Sequence, residues 1–103
     1  MKFADIYITC KRKEARKIAS TLVKKKLAVC VNIFPCTSIY RWKGKIVEDK
    51  EAALFVKTKF SLFPAVEKEV KRLCSYSVPC IILTEIKKGH APYLKWIEGE
   101  TRS

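Results

Sequence analysis

The segment that most constrains the fold runs from Leu27 to Asp49 and reads LAVCVNIFPCTSIYRWKGKIVED. It opens with an apolar run, residues 28–34, that is typical of a buried strand. Pro35 then removes a backbone donor, which marks a bend or a sheet edge. Further on, Lys43-Gly44 separates two runs of strand-forming residues, and glycine readily adopts the positive φ of a two-residue turn. The sequence therefore predicts a β-hairpin with Lys43-Gly44 at its tip.

The predicted ribbon is apolar on both of its faces. Tyr40, Trp42 and Val47 fall on one face, and Ile39 and Ile46 on the other. A two-stranded ribbon of this kind is not stable alone in water, and large exposed apolar patches mark contact surfaces. We therefore expect another copy of the chain to cover it. The turn fixes the register, so the expected pairs are Trp42 with Lys45, Arg41 with Ile46, Tyr40 with Val47 and Ile39 with Glu48.

Length and hydropathy indicate one water-soluble domain. The chain has 103 residues, of which 49% are hydrophobic, and a chain of this size buries roughly 65% of its unfolded surface. No apolar run approaches the ~20 residues that span a bilayer. Residues 1–5 lack the charged and apolar regions of a signal peptide, so a cytoplasmic location is expected.

The charge balance is strongly basic, with 22 Lys and Arg against 10 Asp and Glu, which gives +12. Such a charge favours nucleic acid, anionic membranes or acidic ligands. The basic residues are nevertheless spread along the chain. The one dense block, residues 24–26, falls at the end of a predicted helix, where cations suit the helix dipole. We expect a solvated surface, with neither nucleic acid nor a membrane as partner.

Hydrophobic periodicity predicts four strands and three helices in the order β-α-β-β-α-β-α. This is the α+β, ferredoxin-like sandwich, with a long hairpin between the second and third strands and a C-terminal helix. The right-handed crossover rule places strand three between strands one and two, and strand four beyond strand one. The expected buried stripe of the first helix is Ala15, Ile18, Ala19, Leu22 and Val23. Ser61 is the expected N-cap of the second helix, with Pro64 in its first turn. The strands cover residues 3–9, 28–34 with the ribbon, 51–58 and 78–86, and the helices cover 14–26, 62–73 and 93–98.

The odd number of cysteines argues against a disulfide framework, and no C-x-x-C motif is present. The topology brings Cys10, Cys74 and Cys80 to one end of the sheet. Thiolates suit soft ions such as Cu(I) and Zn(II), although free cysteine also packs as a small hydrophobe. Cys10 and Cys74 are therefore candidate metal ligands or buried core residues. We expect Cys80 and Cys30 to be core residues, and we assign no role to Cys36.

No residue set indicates an enzyme. His90 is the only histidine, and between Gly89 and Ala91 it is typical of a solvated loop. No G-x-S-x-G motif, paired carboxylates or phosphate-cradling glycine loop is present. A ferredoxin-like sheet with aromatic side chains also suggests an RNA-recognition module. Residues 51–58 lack the aromatic run that such a module carries on its third strand.

The motifs also resemble those of the CutA divalent-cation-tolerance family across nearly the whole chain. The resemblance implies a homotrimer of ferredoxin-like subunits, similar in fold to trimeric PII signalling proteins, with copper or another divalent metal ion as ligand and no established reaction. We expect Ile39, Tyr40, Arg41, Trp42, Ile46, Val47 and Trp96 to form the trimer interface. The segments that carry the resemblance are LAVCVNI with Pro35, SIYRWKGKI, Tyr76 with Val78-Pro79 and Ile81-Ile82, and Gly89 with YLKWI.

The resemblance also implies where a metal would bind. Family members use a cysteine near the end of strand one and histidines just before a tyrosine-containing turn. Here the usual His-Pro-Tyr is Cys74-Ser75-Tyr76, so the expected ligands are Cys10 and Cys74. The alternative is a PII-like signalling or scaffolding trimer. It would bind a small anionic ligand or a protein partner in the inter-subunit cleft through Arg41 and Lys57.

Overall fold

Four strands and three helices follow the predicted order, and the computed structural model describes all 103 residues. The strands form one antiparallel sheet with the order β2-β3-β1-β4, which confirms the mixed α+β fold. The longest helix has 13 residues, and none of the helices is long and apolar enough to cross a bilayer. The elements are β1 (Phe3–Cys10), α1 (Arg12–Lys24), β2 (Cys30–Trp42), β3 (Lys45–Lys59), a 3₁₀ turn (Phe60–Leu62), α2 (Phe63–Leu73), β4 (Cys80–Ile86) and α3 (Ala91–Glu100).

The β2–β3 hairpin has the predicted register, with Trp42 opposite Lys45 and Cys30 opposite Lys57. Its turn places Lys43 at φ 50° and Gly44 at φ 78°, as a type I′ turn requires. No atom lies within 4 Å of a Cβ built on Gly44, so the backbone angle rather than space calls for glycine. The hairpin extends the molecule to 44 Å along its longest axis.

β2 continues without a break through Pro35, which pairs with Ala52. β2 is the outermost strand next to β3, and proline is tolerated in an edge strand because half of the backbone donors there face outward. Of the two predicted readings of Pro35, the edge is therefore confirmed. The two inner strands, β1 and β3, contain no proline.

The core lies between one face of the sheet and the pair of helices α1 and α2. Side chains alternate along β1, so that every second residue from Ala4 to Cys10 is fully buried. Burying each aliphatic side chain contributes roughly 1.5–3 kcal/mol. The largest fully buried members are Ile6, Ile8, Ile18, Leu22, Leu27, Leu54, Val56, Val66 and Val70.

Two local predictions about the helices were wrong. Ser61 does not cap α2, because residues 60–62 form a 3₁₀ turn and Leu62 takes the cap position without a side-chain bond. Pro64 lies in the first turn as predicted. Val23, which the periodicity placed on the buried stripe of α1, is 42% exposed. It lies about 90° around the helix from the centre of that stripe, given 3.6 residues per turn.

The opposite sheet face, here called the open face, is covered only at one end. There α3 packs Ile97 against Phe3 and Val29. The Lys59 ammonium secures the C-terminus by donating to the carbonyl oxygens of Thr101 and Arg102, each at 3.1 Å. No other helix covers the open face, although the turn before β4 brings Tyr76 to Glu51 at its far end. Phe34 and Ile82 lie on it with 52% and 57% of their surface exposed.

An ion pair cluster links α1 to α2 around Glu69. This carboxylate accepts from Arg72 and from Lys25 Nζ, the latter at 2.9 Å. The Arg72 and Lys25 cations lower the pKa of Glu69 to about 2 from its usual 4.5. The folded state therefore gains stability from ionised Glu69 above pH 4.5 and loses it as the pH falls to about 2.

We expect Glu69→Gln to lower the melting temperature at pH 7 and to flatten the fall in melting temperature between pH 5 and pH 2. Thermal melts followed by circular dichroism across that range measure both effects. Glu67→Gln is the matched control, since Glu67 has no salt bridge. Parallel pH profiles for wild type and Glu69→Gln would contradict the assignment.

Candidate functional site

The structure places Cys10 and Cys74 in the same buried core cluster. Cys10 ends β1 and points towards the helices, with none of its surface exposed. Cys74 follows the last turn of α2, and its N–H donates to the Val70 carbonyl at 2.8 Å. The two thiols are close enough for charge on Cys74 to act on Cys10. The two sulfurs that the sequence predicts as a pair are therefore neighbours in the structure.

Both of these thiols resist ionisation. Burial, followed by the charge on Cys74 and on Glu14, raises the pKa of Cys10 to about 12. Burial also raises the pKa of Cys74, while the Lys11 cation works against that rise. Because the thiolate is the metal ligand, each sulfur must lose a proton to bind an ion. At neutral pH, both sulfurs are therefore held as thiols.

The donor set around the two cysteines is small. The chain contains no group of three or more His, Cys, Asp or Glu side chains arranged to hold a metal. Structural zinc sites use four ligands in a tetrahedron, which two thiols do not supply. Soft sulfur donors select Cu(I). The residues present therefore fit a soft monovalent ion better than a hard or borderline divalent one.

Cys80 lies at the predicted end of the sheet, but it is half-buried rather than a core residue and lies on the other face from this pair. It lies opposite Thr9 on the open face, whereas the next residue, Cys10, points to the helices. Successive side chains of a strand point to opposite faces, so the same end of the sheet holds the sulfurs on two different sides. Cys30 and Cys36 are half-buried. Cys30 is therefore not the fully buried core residue that the sequence predicted, and Cys36 lies within β2.

A cleft of about 580 Å³ lies on the open face. Its walls come from β1, from the ribbon as far as Trp42 beside its tip, and from the turn before β4. The sequence pattern does not predict this cleft. The one sequence signal for the cleft was the alternation of aromatic residues along the ribbon. Nothing in the sequence indicated that these aromatic residues lie beside residues 75–78. The side chains used below are Tyr7, Tyr40, Trp42, Glu51, Tyr76 and Cys80.

A buried carboxylate marks the floor of the cleft. Glu51 is only 5% exposed, and its Oε2 accepts from the Tyr76 hydroxyl at 2.7 Å. Burial and this bond raise the pKa of Tyr76, so its phenol stays protonated and donates. On the rim, the Tyr40 hydroxyl donates to Asp49. The cleft thus concentrates negative charge in a chain that is strongly basic overall.

The residues proposed for an anionic ligand are not brought together within one chain. Lys57 lies on the open face, where its ammonium donates to Asn32 Oδ1 at 2.6 Å. The register places Arg41 on the opposite side of the same sheet. Neither side chain lines the cleft.

The side chains expected at a trimer interface are accessible in the single chain. Ile39 and Ile46 on one face of the ribbon are 68% and 72% exposed. Trp42 on the other face is 41% exposed, and Val47 is half-buried. Trp96 lies on α3, where its ring packs edge-on against Tyr93. Both faces of the ribbon are therefore apolar and uncovered, as its sequence predicts.

Comparison with known proteins places the chain in a family. The profile of the CutA1 divalent ion tolerance protein family matches residues 5–100. The divalent-cation tolerance protein CutA of Thermus thermophilus is 49% identical over 88 residues, which cover 84% of this chain and 85% of that protein. Mouse protein CutA is 43% identical over 99 residues, or 94% of this chain and 56% of its own length. The chain thus spans little more than half the length of its mammalian relatives.

Solved structures agree with this sequence match. The structure from Archaeoglobus fulgidus, described as a periplasmic divalent cation tolerance protein CutA, superposes with a TM-score of 0.93 at 44% identity. It covers 95% of this chain and 97% of its own. CutA1 from Oryza sativa gives a TM-score of 0.95 at 36% identity, over 99% of this chain and 95% of that one. The chain belongs to the CutA1 divalent ion tolerance protein family.

We expect Tyr76→Phe to destabilise the fold by ~1–3 kcal/mol, because it leaves the buried Glu51 carboxylate without its donor. Urea unfolding followed by fluorescence measures the change. Ser20→Ala is the control, since it removes an exposed hydroxyl that also makes a 2.7 Å bond, and it should change stability by less than ~0.5 kcal/mol. Equal effects of the two substitutions would show that the Tyr76–Glu51 bond contributes no more to the free energy of unfolding than an exposed hydrogen bond.

Proposed function

We propose that this chain is a non-enzymatic metal-tolerance protein that binds copper, as Cu(I), through Cys10 and Cys74. The observation that carries the proposal is the placement of two sulfurs, 64 positions apart in the sequence, in one buried cluster. The names of its relatives refer to divalent-cation tolerance. We also propose that it acts as a homotrimer in the cytoplasm, although one relative is described as periplasmic.

The surroundings of the two sulfurs account for how such a site would behave. The core excludes water and hard competing ligands from the thiols. A backbone hydrogen bond from Tyr76 and, to a smaller extent, the Lys11 cation favour the thiolate of Cys74 and partly offset the effect of burial on its pKa. Glu14 and Glu51 oppose ionisation of Cys10. An ion must displace protons against this resistance, so binding is weak at neutral pH and strengthens as the pH rises.

We expect the double substitution Cys10→Ser/Cys74→Ser to weaken Cu(I) binding at least tenfold, or ~1.4 kcal/mol. A competition titration against a chromophoric Cu(I) chelator, under reducing conditions, measures this. The matched control is Cys36→Ser/Cys80→Ser, which removes two sulfurs from the open face and should leave the affinity unchanged. Wild-type affinity should also rise from pH 6 to pH 8. Loss of affinity only in the control would move the site to the open face.

The homotrimer is supported by the ribbon and the open face together. The ribbon carries Ile39 and Ile46 on one side and Trp42 on the other, all exposed. The open face adds Phe34 and Ile82. Apolar surface of this extent is costly in water and is stabilised by association. The PII-like alternative has less support, because Arg41 and Lys57 lie on opposite sides of the sheet within one chain.

We expect the wild-type chain, at 11.9 kDa per copy, to elute as a trimer of about 36 kDa. Light scattering coupled to size exclusion measures the mass. Ile39→Asp/Ile46→Asp should shift it towards the monomer, because two charges would have to be desolvated at the interface. Val23→Asp, at an exposed apolar position on α1, is the control and should remain trimeric. A folded wild-type monomer would end this part of the proposal.

A further inference from the structure

The fold gathers basic residues that are dispersed along the sequence. We define the helical layer as residues 11–26 and 63–74, which comprise α1, α2 and their flanks. It contains eleven of the 22 Lys and Arg but three of the 10 Asp and Glu. Eleven minus three gives +8 of the total +12. All eleven cations are exposed: Lys11, Arg12, Lys13, Arg16, Lys17, Lys24, Lys25, Lys26, Lys68, Lys71 and Arg72.

The three carboxylates of the helical layer do little to offset this charge at its surface. Glu69 is buried and already paired with Lys25 and Arg72. Glu14 is half-buried, and its Oε1 accepts from the Ser75 N–H at 3.3 Å. Glu67 is half-buried. The outermost surface of the layer therefore presents cations almost without anions.

The cations are arranged in rows on a rigid support. Lys13, Lys17 and Lys24 stand at i, i+4 and i+11, which is one line along α1. At 1.5 Å per residue this line is ~16 Å long. The exposed cations of α2 form a second row beside this line, because packed helices lie ~8–10 Å apart. The apolar sides of both helices are packed in the core, so the rows keep their spacing.

We propose that the helical layer binds the phosphate backbone of double-stranded nucleic acid without reading its sequence. The one aromatic side chain of the layer, Phe63, is half-buried against the core, so the layer offers no exposed platform for stacking bases, and its charged heads reach phosphates instead. Binding a polyanion at many points releases condensed counterions, which supplies most of the affinity of such contacts. The proposal does not depend on the metal site, whose two sulfurs are buried beneath the layer, or on the assembly, which uses the ribbon and the open face.

A lipid surface fits the same layer less well. Helices that lie on membranes insert an apolar side between the headgroups. The apolar side of α1 is occupied, because Ala15, Ile18 and Leu22 are buried against the sheet. Val23 is the one large aliphatic side chain exposed on the layer. The surface therefore offers charge without an apolar anchor.

The test measures binding of the full-length chain to a fluorescein-labelled 20-base-pair DNA duplex by anisotropy at several salt concentrations. We expect a Kd of about 10⁻⁵ M or tighter at 50 mM salt, weakening steeply as salt increases. Lys13→Glu/Lys17→Glu/Lys24→Glu should weaken binding at least thirtyfold. It should also reduce the slope of log K against log salt by about 2.7, or ~0.9 for each phosphate that is no longer neutralised by a lysine.

The control variant, Lys87→Glu/Lys88→Glu/Lys95→Glu, makes the same change in net charge at exposed positions outside the layer. It should change the affinity less than fivefold. Equal losses in both variants would show that overall charge, not the layer, holds the duplex, and would overturn the proposal. So would no binding at 50 mM salt. Binding to vesicles containing 30% phosphatidylserine, without binding to the duplex, would assign the layer to membranes instead.

Discussion

The structure depends on the unbroken pairing of β2 with β3, from Cys30 opposite Lys57 to Trp42 opposite Lys45. No bulge interrupts this ladder, so side chains alternate strictly between the two faces over its whole length. The alternation of side chains between the two faces therefore continues from the sheet into the ribbon without a change of register. Tyr40 and Trp42 share the open face with Phe34, and Ile39 shares the other with Val31. A one-residue slip would exchange every one of these positions.

This alternation places the cysteine pair on one face of the sheet and the cleft around Glu51 on the other. On one side, α1 and α2 close over the sheet and bury Cys10 and Cys74, where loss of water raises the pKa of both thiols. On the other side, β1 and the ribbon form the cleft around Glu51, whose carboxylate is held by Tyr76. The two sites lie within a few residues of each other along β1 and β3. Tyr76 connects them, since it packs against the core cluster of Cys10 and Cys74 and donates to Glu51.

The charged side chains are also divided unequally between the two sides of the sheet. The helical layer carries +8 on its outer surface, whereas the cleft on the open face contains Glu51 with Asp49 at its rim. The molecule is therefore polarised across the sheet as well as basic overall. If copies associate through their open faces, as we propose, the acidic clefts would be enclosed and the basic layers would face outwards. A metal ion held by Cys10 and Cys74 would then lie inside each subunit beneath the basic layer, and a polyanion would bind on the outside of that layer.

The sequence by itself determined the elements whose cause is local. The hairpin and its register follow from Lys43-Gly44, the strand order from the β-α-β-β-α-β succession, and the edge position from Pro35. It also identified the pair Cys10 and Cys74, because topology alone brings the end of β1 to the end of α2. The family motifs were equally visible, since they are contiguous in the chain.

Only the tertiary structure decided what depends on distances between remote side chains. Parity within the sheet put Cys80 on the other face from Cys10, and packing left Val23 at the edge of its stripe. The cleft required the turn at Tyr76 to meet the ribbon at Tyr40. The basic surface required two helices, far apart in sequence, to lie side by side. A linear pattern records which residues alternate, but it does not record which separated segments share a face, because that is set by packing.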